Sequence, residues 1–224
     1  MSNDISLYGN LIADKILMDF QEYTGLGGIA NVWHGIKFLN QEIAISMRPT
    51  DIGEAIILVD KKNSTRIGRG FLNLSSSKVS PNSSRWHHIS YINSITHPEF
   101  IKEIKTGIIS ADITKENPEK CLEYLEYIDY LFIAEEDLFI DLDSLASLTK
   151  GWVVCHSPLR SVLSDGEKTI VYNIPKKLLL ENVNVLGAGD YFAAAFINCS
   201  ISGLGVEASV KKAHEDTTKM LKGQ

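Results

Sequence analysis

The chain has 224 residues, and its 28 acidic and 22 basic side chains give a formal net charge of -6. A chain of this length buries about 70% of its unfolded surface, enough for a substantial core. Hydrophobic residues make up 44% and charged residues 22%, which excludes a disordered chain, a collagen-like fibre and a disulfide-stapled miniprotein. The acidic balance gives no electrostatic reason to expect nucleic acid or an anionic membrane as a partner.

The cysteine pattern and the N-terminal residues bear on cellular location. No apolar run approaches the roughly 18 residues that span a bilayer, and residues 1–4 lack the features of a secretory signal. The cysteines are odd in number and far apart, and no C-x-x-C pair occurs: Cys121, Cys155 and Cys199. We therefore expect reduced thiols in a cytoplasmic protein, and we expect the adjacent His87 and His88 to be structural rather than metal-binding.

Strands and helices are predicted to alternate along the chain. Strands are predicted at 5–8, 43–46, 55–60, 65–67, 88–92, 107–110, 130–133 and 152–155, with a hairpin-like turn at 61–64, an exposed loop at 73–84, and a hairpin of 162–163 and 170–171. Helices are predicted after the glycine-rich stretch 25–28 and at 98–105, 118–127, 142–148, 190–200 and 206–221. This alternation indicates a mostly parallel sheet covered on both faces.

A glycine loop, Gly187-Ala188-Gly189, is the most informative segment. The apolar residues that follow Asp190 have the spacing of a buried helix face, so the loop lies at a helix N-terminus. Its free N–H groups and partial positive charge can bind an anion, and an adjacent carboxylate suits phosphoryl transfer with Asp190 as the base. The alternative is a turn followed by an aspartate that only caps the helix. The pattern alone does not decide between the two.

Two motifs resemble those of the carbohydrate kinases typified by ribokinase, the PfkB family. Gly187-Ala188-Gly189-Asp190-x-Phe192 resembles the family signature that contains the anion hole and the catalytic aspartate. Gly27-Gly28-Ile29-Ala30-Asn31 resembles the N-terminal Gly-Gly-x-x-Asn signature, and Asp14 is similar to the family's substrate-hydroxyl-binding aspartate. The matches follow the family's order along nearly the whole chain.

The resemblance implies a fold and an activity. The fold is a single ribokinase-like α/β domain over residues 1–224, Rossmann-like, with a mostly parallel sheet, helices on both faces and a small β-sheet lid formed by segments near 15–26 and 56–72. The activity is transfer of the ATP γ-phosphoryl group to a hydroxyl of a sugar or nucleoside, with Mg²⁺. Lid strands often make dimer contacts in the family, so a homodimer is expected.

The same resemblance assigns roles to residues near the two motifs. Asp190 is the implied general base, and the amides of Gly187, Ala188 and Gly189 form the implied anion hole. The implied substrate-binding residues are Asp14, Gly27, Gly28 and Asn31. A basic cluster near the lid is most simply a solvated surface, with a role for Arg66 or Arg69 beside a substrate phosphate as the alternative: Lys61, Lys62, Arg66 and Arg69.

Several positions depart from the family pattern. Asn184 and Val185 replace the aspartate and threonine before the glycine loop, which argues against potassium activation. Asp137 stands at the acid of the Asn-x-x-Glu motif, where it would order a metal-bound water. The implied nucleotide-side residues are altered from the usual Thr-x-Gly and Asn: Cys155, Ser157 and His214. The alternative function is therefore a degenerate, non-catalytic sugar- or nucleotide-binding protein, although the retained Asp190 favours an active kinase.

Overall fold

The computed structural model describes residues 3–60, 65–180 and 183–223. Within them lie ten strands: β1 (Asn3–Met18), β2 (Gln21–Gly28), β3 (Ile45–Asp60), β4 (Thr65–Ser76), β5 (Ser84–Ser90), β6 (Ile108–Ile113), β7 (Tyr130–Ala134), β8 (Trp152–His156), β9 (Arg160–Ser164) and β10 (Thr169–Asn173). The α-helices of the same residues are α1 (Ile29–Leu39), α2 (Leu142–Leu148), α3 (Ala188–Ile201) and α4 (Val206–Lys222). The turn predicted at 61–64 lies outside the described residues, as do Lys61 and Lys62.

One sheet contains all ten strands, in the order β10-β9-β8-β7-β6-β5-β1-β3-β4, with β2 paired to β1. The central run from β8 through β7, β6, β5 and β1 to β3 is parallel. The outer pairs β8–β9, β9–β10, β3–β4 and β1–β2 are antiparallel. Central strands such as β7 read as nearly continuous apolar runs because both of their faces are covered.

Two apolar layers enclose the central strands. On one face, Ile5, Leu7 and Phe132 pack against α1, α3 and α4. On the other face, Ile89 and Leu131 pack against α2 and short 3₁₀ segments. The predicted mostly parallel sheet with helices on both faces is therefore confirmed.

Two long strands, β1 and β3, extend beyond this core. Residues 3–9 of β1 pair with β5, whereas residues 11–18 pair with β2. A register irregularity at Gly9/Asn10 separates these two halves of β1. We call the outer region the lid sheet, formed by residues 11–18, 21–28, 52–60 and 65–72. The prediction of lid segments near 15–26 and 56–72 stays a prediction, and residues 61–64 of it lie outside the described residues.

The lid sheet presents different side chains on its two faces. Its inner face carries Ile12, Ala55, Ile57 and Val59, and Leu186 from the glycine loop packs against this cluster. Strand alternation places the intervening apolar residues on the outer face, where they are exposed: Leu17, Leu26, Ile52, Ile56, Leu58 and Leu72. The lid sheet therefore has one face toward the glycine loop and a second apolar face open to solvent.

Two of the predicted helices are 3₁₀ segments, at Pro98–Glu103 and, in two pieces, at Pro118–Lys120 and Leu122–Tyr127. Each begins at a proline and is soon followed by extended backbone at Ile104 or Ile128, and 3₁₀ geometry is common in pieces this short. The predicted loop at 73–84 starts later than expected because β4 continues to Ser76. The glycine-rich stretch 25–28 forms the end of β2 and leads directly into α1.

No helix in the described part of the chain is both long and apolar enough to cross a membrane.

Candidate active site

The glycine loop lies at the start of α3, as the sequence predicts. Gly187 has the left-handed φ of 75° that favours glycine, and its carbonyl accepts a hydrogen bond from Tyr191 N at 2.8 Å. This conformation turns the chain into the helix and places Asp190 in the first turn. The Asp190 side chain is buried, with 4% of the residue exposed.

A hydrogen bond joins the two sequence motifs. Asn31 Nδ2, in the first turn of α1, donates to Asp190 Oδ2 at 2.8 Å. Gly187 permits this approach, because a Cβ at that position would lie 3.0 Å from Asn31 Nδ2. The structure therefore brings together Asn31 and Asp190, which are 159 residues apart in sequence.

Asp14 lies beside the end of β2, on the lid side of the same site. Gly27 gives its carboxylate room, since a Cβ there would be 2.1 Å from Asp14 Oδ2. Gly28, with φ 65°, allows the turn into α1, and a Cβ there would be 1.9 Å from the Asn10 carbonyl oxygen. Arg69, from β4, places Nη2 3.7 Å from Asp14 Oδ1. The predicted substrate-binding residues Asp14, Gly27, Gly28 and Asn31 thus surround one region. Arg69 pairs with Asp14 in that region.

Burial dominates the electrostatics of Asp190. Loss of water and the nearby Asp112 carboxylate raise the pKa of Asp190 to about 7, while Asn31, Tyr91 and Arg69 act in the opposite direction. A carboxylate with a pKa near the working pH can accept a proton and release it again, which is the property required of a general base. The geometry and the pKa of Asp190 both suit that role.

Asp112 is a site residue that sequence analysis missed. It lies at the carboxyl end of β6 and is 6% exposed, with Oδ2 at 3.1 Å from Nε2 of the fully buried His88. The other ring nitrogen of His88 lies 2.9 Å from Ser110 Oγ, so both ring nitrogens have a polar neighbour. The sequence feature that could have identified Asp112 is a polar residue at the carboxyl end of a parallel strand, where open α/β sheets bind ligands. Tyr91 after β5 and His156 at the end of β8 carry the same signal.

The amides of the glycine loop are arranged differently from the prediction. Ala188 N donates to the Val185 carbonyl at 3.0 Å, so this amide is used within the turn. Asn184 Oδ1 accepts from Leu186 N at 3.1 Å, which also stabilises the loop. Because the first turn of a helix has no internal acceptors for its N–H groups, the amides of Gly189 and Asp190 are the better placed donors for an anion.

The predicted nucleotide-side residues lie near the loop but face different directions. Cys155 is buried among the residues on the sheet face opposite α3, and burial raises the pKa of its thiol to about 11. Ser157 is part of a tight turn, with its N donating to the Arg160 carbonyl at 2.9 Å. The nucleotide-side role of Cys155 and Ser157 stays a prediction.

His214, the third of these residues, belongs to a stack of rings. The His156 ring lies 4.7 Å from Phe192, and Phe192 lies 4.8 Å from His214. His214 Nε2 is 2.8 Å from Ser161 Oγ. Burial, with help from His156, lowers the pKa of His214 to about 4, so the ring is neutral at physiological pH. The ring stack fills the space between α3, α4 and the end of β8.

The carboxylates near the loop are of the type that Mg²⁺ binds. Asp112 Oδ2 is buried and not aligned for a hydrogen bond with any described group. Asp137, predicted to order a metal-bound water, lies with Oδ1 3.7 Å from Lys115 Nζ. The described residues contain no group of three or more potential metal ligands, so Mg²⁺ here would take further oxygens from bound phosphates.

Solved structures of similar architecture were found by comparison of folds. A pyrophosphate-dependent kinase in the ribokinase family aligns with a TM-score of 0.72 and 14% identity over 97% of this chain and 95% of that one. Adenosine kinase from Sinorhizobium meliloti gives 0.75 and 14% over 100% and 95%. Ribokinase from Thermotoga maritima gives 0.76 and 16% over 97% and 92%. The chain has the ribokinase-like fold.

The ribokinase-like fold is evident here from structure. No model of a known protein family matches the sequence, and no curated protein matches it. The motifs at Gly27–Asn31 and Gly187–Asp190 lie in this fold at the end of β2 and the start of α3, beside one another.

Proposed function

We propose that this protein is a small-molecule kinase that transfers the ATP γ-phosphoryl group to a hydroxyl of a sugar or nucleoside. The observation that carries the proposal is the 2.8 Å hydrogen bond between Asn31 and Asp190. It joins the acceptor-side motif to a buried carboxylate at a helix N-terminus, which supports a base and anion-binding N–H groups beside the acceptor. The likeness to kinases of the ribokinase-like fold supports the same reaction class.

Each side chain has a defined task in this reaction. Asp14 accepts hydrogen bonds from acceptor hydroxyls, and Asn31 orients Asp190. Asp190 takes the proton of the attacking hydroxyl, and the amides of Gly189 and Asp190 stabilise negative charge on the transferring group. Asp112, or Asp137 through a water, would hold Mg²⁺ bound with ATP, and the ion would neutralise phosphate charge. The lid sheet covers the acceptor from the side of Arg69.

The test is an ATP-consumption assay over a panel of sugars and nucleosides. We expect at least one acceptor to stimulate turnover, and we expect Asp190→Asn to lower kcat by roughly 10²–10⁴-fold. Thermal unfolding of both variants shows whether they are folded. Turnover that Asp190→Asn leaves unchanged would exclude Asp190 as the base.

A degenerate binding protein on the same fold is the competing function. It predicts that a sugar or nucleotide raises the melting temperature while no acceptor stimulates turnover. The burial of Asp190 favours the kinase, because an ionisable group in a dry site is costly to keep unless it has a function. The thermal-shift and turnover measurements on the same acceptor panel separate the two.

The phosphoryl donor has a second candidate. The ring of His214, an implied nucleotide-side residue, packs against Phe192 beside His156, which supports a donor bound by its phosphates alone. One solved structure of this fold is described as a pyrophosphate-dependent kinase. Comparing ATP, GTP and pyrophosphate as donors with one acceptor distinguishes these cases: adenine recognition gives ATP a clear advantage, whereas phosphate-only recognition does not.

We also propose a homodimer formed through the outer face of the lid sheet. Six exposed apolar side chains occupy that face, and a second copy of the chain would cover them with an equivalent surface. A sheet face of this kind is a common position for association because burial of apolar area is the main driving force.

A further inference from the structure

Three side chains form a continuous strip on the inner face of the lid sheet. Strand pairing aligns Asp14 of β1 with Ala55 of β3, and Ala55 with Phe71 of β4. Arg69 lies two residues before Phe71, so the two side chains are on the same face of β4. Ala55 belongs to the buried cluster that packs against the glycine loop. The lid strip, which we define as Asp14, Arg69 and Phe71, is therefore on the face toward the proposed active site.

The guanidinium group of Arg69 is held between the other two members of the lid strip. Its central carbon lies 4.5 Å from the centroid of the Phe71 ring, and an aromatic face attracts a cation at this distance. Its Nη2 lies 3.7 Å from Asp14 Oδ1. Arg69 therefore extends from β4 toward β1, and contacts within the lid sheet fix its direction.

These contacts leave hydrogen-bonding capacity on Arg69 unused. A guanidinium group has five N–H donors, and the 3.7 Å separation from Asp14 is longer than a hydrogen bond. Arg69 Nε is buried and has no hydrogen-bond partner among the described residues. Because a buried donor without a partner is unfavourable, an oxygen atom of a ligand would be stabilised here. The side chain is 22% exposed, so a ligand can reach it.

The lid strip indicates the chemistry of its ligand. A carboxylate only accepts hydrogen bonds, and a guanidinium group only donates them. Placed side by side, Asp14 and Arg69 match two neighbouring hydroxyls, of which one donates to the carboxylate and the other accepts from the arginine. Phe71, which is 42% exposed, adds an apolar surface for the C–H groups of the same ligand.

The charges around the site favour a neutral ligand. Asp14, Asp112 and Asp190 place three carboxyl groups in this region, and Arg69 is already beside one of them. A phosphate group on the acceptor would add negative charge next to these carboxyl groups, which is unfavourable. The contact with Asp14 therefore argues against the role beside a substrate phosphate that the sequence left open for Arg69.

We propose that Arg69 is a specificity-determining residue that, together with Asp14, selects a neutral acceptor with two adjacent hydroxyls. Phe71 holds the guanidinium group in place for this contact. The assignment deepens the proposed kinase function and rests on it for the reaction. Binding of the acceptor, however, can be measured without a phosphoryl donor.

The experiment measures acceptor binding by isothermal titration calorimetry in the absence of donor. The ligands are adenosine, D-ribose, D-fructose and myo-inositol, and each ligand that binds is compared with its monodeoxy analogues. We expect the wild type to bind the analogues that lack either of two adjacent hydroxyls about 10- to 100-fold more weakly, since each loses a hydrogen bond to a charged group. Arg69→Met should lose the discrimination at one of these hydroxyls and keep it at the neighbouring one, which Asp14 binds.

Arg85→Met is the matched control. Arg85 Nη1 lies 3.6 Å from Asp4 Oδ1, so this variant removes a similar ion pair at the opposite end of β1, and it should keep the discrimination at both hydroxyls. Arg69→Lys retains a positive charge beside Asp14 but not the planar fork, and it should also weaken the discrimination. It replaces Arg69→Met if thermal unfolding shows that the latter is not folded.

The outcomes separate this proposal from the kinase function. Full discrimination at both hydroxyls in the folded Arg69 variants overturns the proposal, as does absence of binding by every neutral ligand. A higher kcat/KM for D-fructose 6-phosphate than for D-fructose overturns it too. If discrimination depends on Arg69 but neither ATP nor pyrophosphate supports turnover, the kinase function fails and the role of Arg69 stands. Turnover with discrimination that is independent of Arg69 gives the opposite result.

Discussion

At the scale of single residues, the raised pKa of Asp190 suits a general base but lowers the stability of the folded chain at neutral pH. Its pKa is about 7 in the folded chain against an ordinary value of 3.8. A carboxyl whose pKa is raised on folding stabilises the protein below pH 4, and that contribution is lost as the pH rises toward 7. The site therefore favours reactivity over stability at neutral pH.

Asp190→Asn should make the protein more stable at pH 8. Asparagine has no charge to bury, so the gain should be on the order of 2–4 kcal/mol at pH 8 and should shrink toward pH 4. Urea unfolding at pH 5, 6, 7 and 8 measures it. A stability difference that does not change with pH would contradict the raised pKa.

Gly27→Ala should weaken acceptor binding through Asp14. The new Cβ would be 2.1 Å from Asp14 Oδ2, so that carboxylate must move, and we expect kcat/KM for the acceptor to fall at least about tenfold. Gly25→Ala is the matched control, because it lies on the same strand and its Cβ meets nothing within 4 Å. Steady-state kinetics of both variants with one acceptor measure this difference. Equal losses of kcat/KM in the two variants would indicate a general effect on β2.

Residue-level prediction from sequence succeeded where the motif itself determines geometry. The glycine loop, Asp190 and Asn31 lie together as their motifs imply. Tyr91 was not predictable, because its position depends on a left-handed turn stabilised by Asn10 and Ser94, which no local pattern encodes. The resemblance implies that the Ala188 amide belongs to the anion hole, but the turn closes onto Val185 and uses this amide.

At the scale of elements, the start of α3 is the critical junction. Gly187→Ala adds both left-handed strain, about 1–2 kcal/mol, and a Cβ 3.0 Å from Asn31 Nδ2. Gly203→Ala, at φ 92° with nothing within 4 Å of its Cβ, adds the strain alone. We expect both variants to lose unfolding free energy, Gly187→Ala at least as much as Gly203→Ala, but a loss of turnover only for Gly187→Ala. Turnover that falls equally in both would show that contact with Asn31 is unimportant.

The predicted element boundaries agree closely with the structure for the central strands and less closely at the surface. The strands predicted at 130–133 and 152–155 and the helix at 142–148 are present almost as predicted, because apolar periodicity reports burial directly. The segments 98–103 and 118–127 became 3₁₀ turns, since propensity does not distinguish one short helical form from another. The length of β1 and β3 was missed because their outer halves are stabilised by each other and by β2 and β4.

At the scale of the whole molecule, the exposed outer face of the lid sheet should determine the oligomeric state. Leu58 is 43% exposed on that face, whereas Leu148 is 46% exposed at the end of α2. We expect the wild type to be a dimer by size-exclusion chromatography with light scattering. Leu58→Glu should shift it toward monomer, because a charge is buried in the apolar interface, and Leu148→Glu should not. A wild-type monomer at all accessible concentrations contradicts the proposed dimer.

The continuity of β1 has a consequence for engineering the protein. Seven residues of this strand belong to the core sheet, and the residues from 11 onward belong to the lid sheet without any connecting loop. The lid sheet is therefore not an inserted module that can be excised or exchanged between related chains at a pair of cut sites. Any graft must retain the register of β1 against β3 through Gly9 and Asn10, because both strands run from the core sheet into the lid sheet.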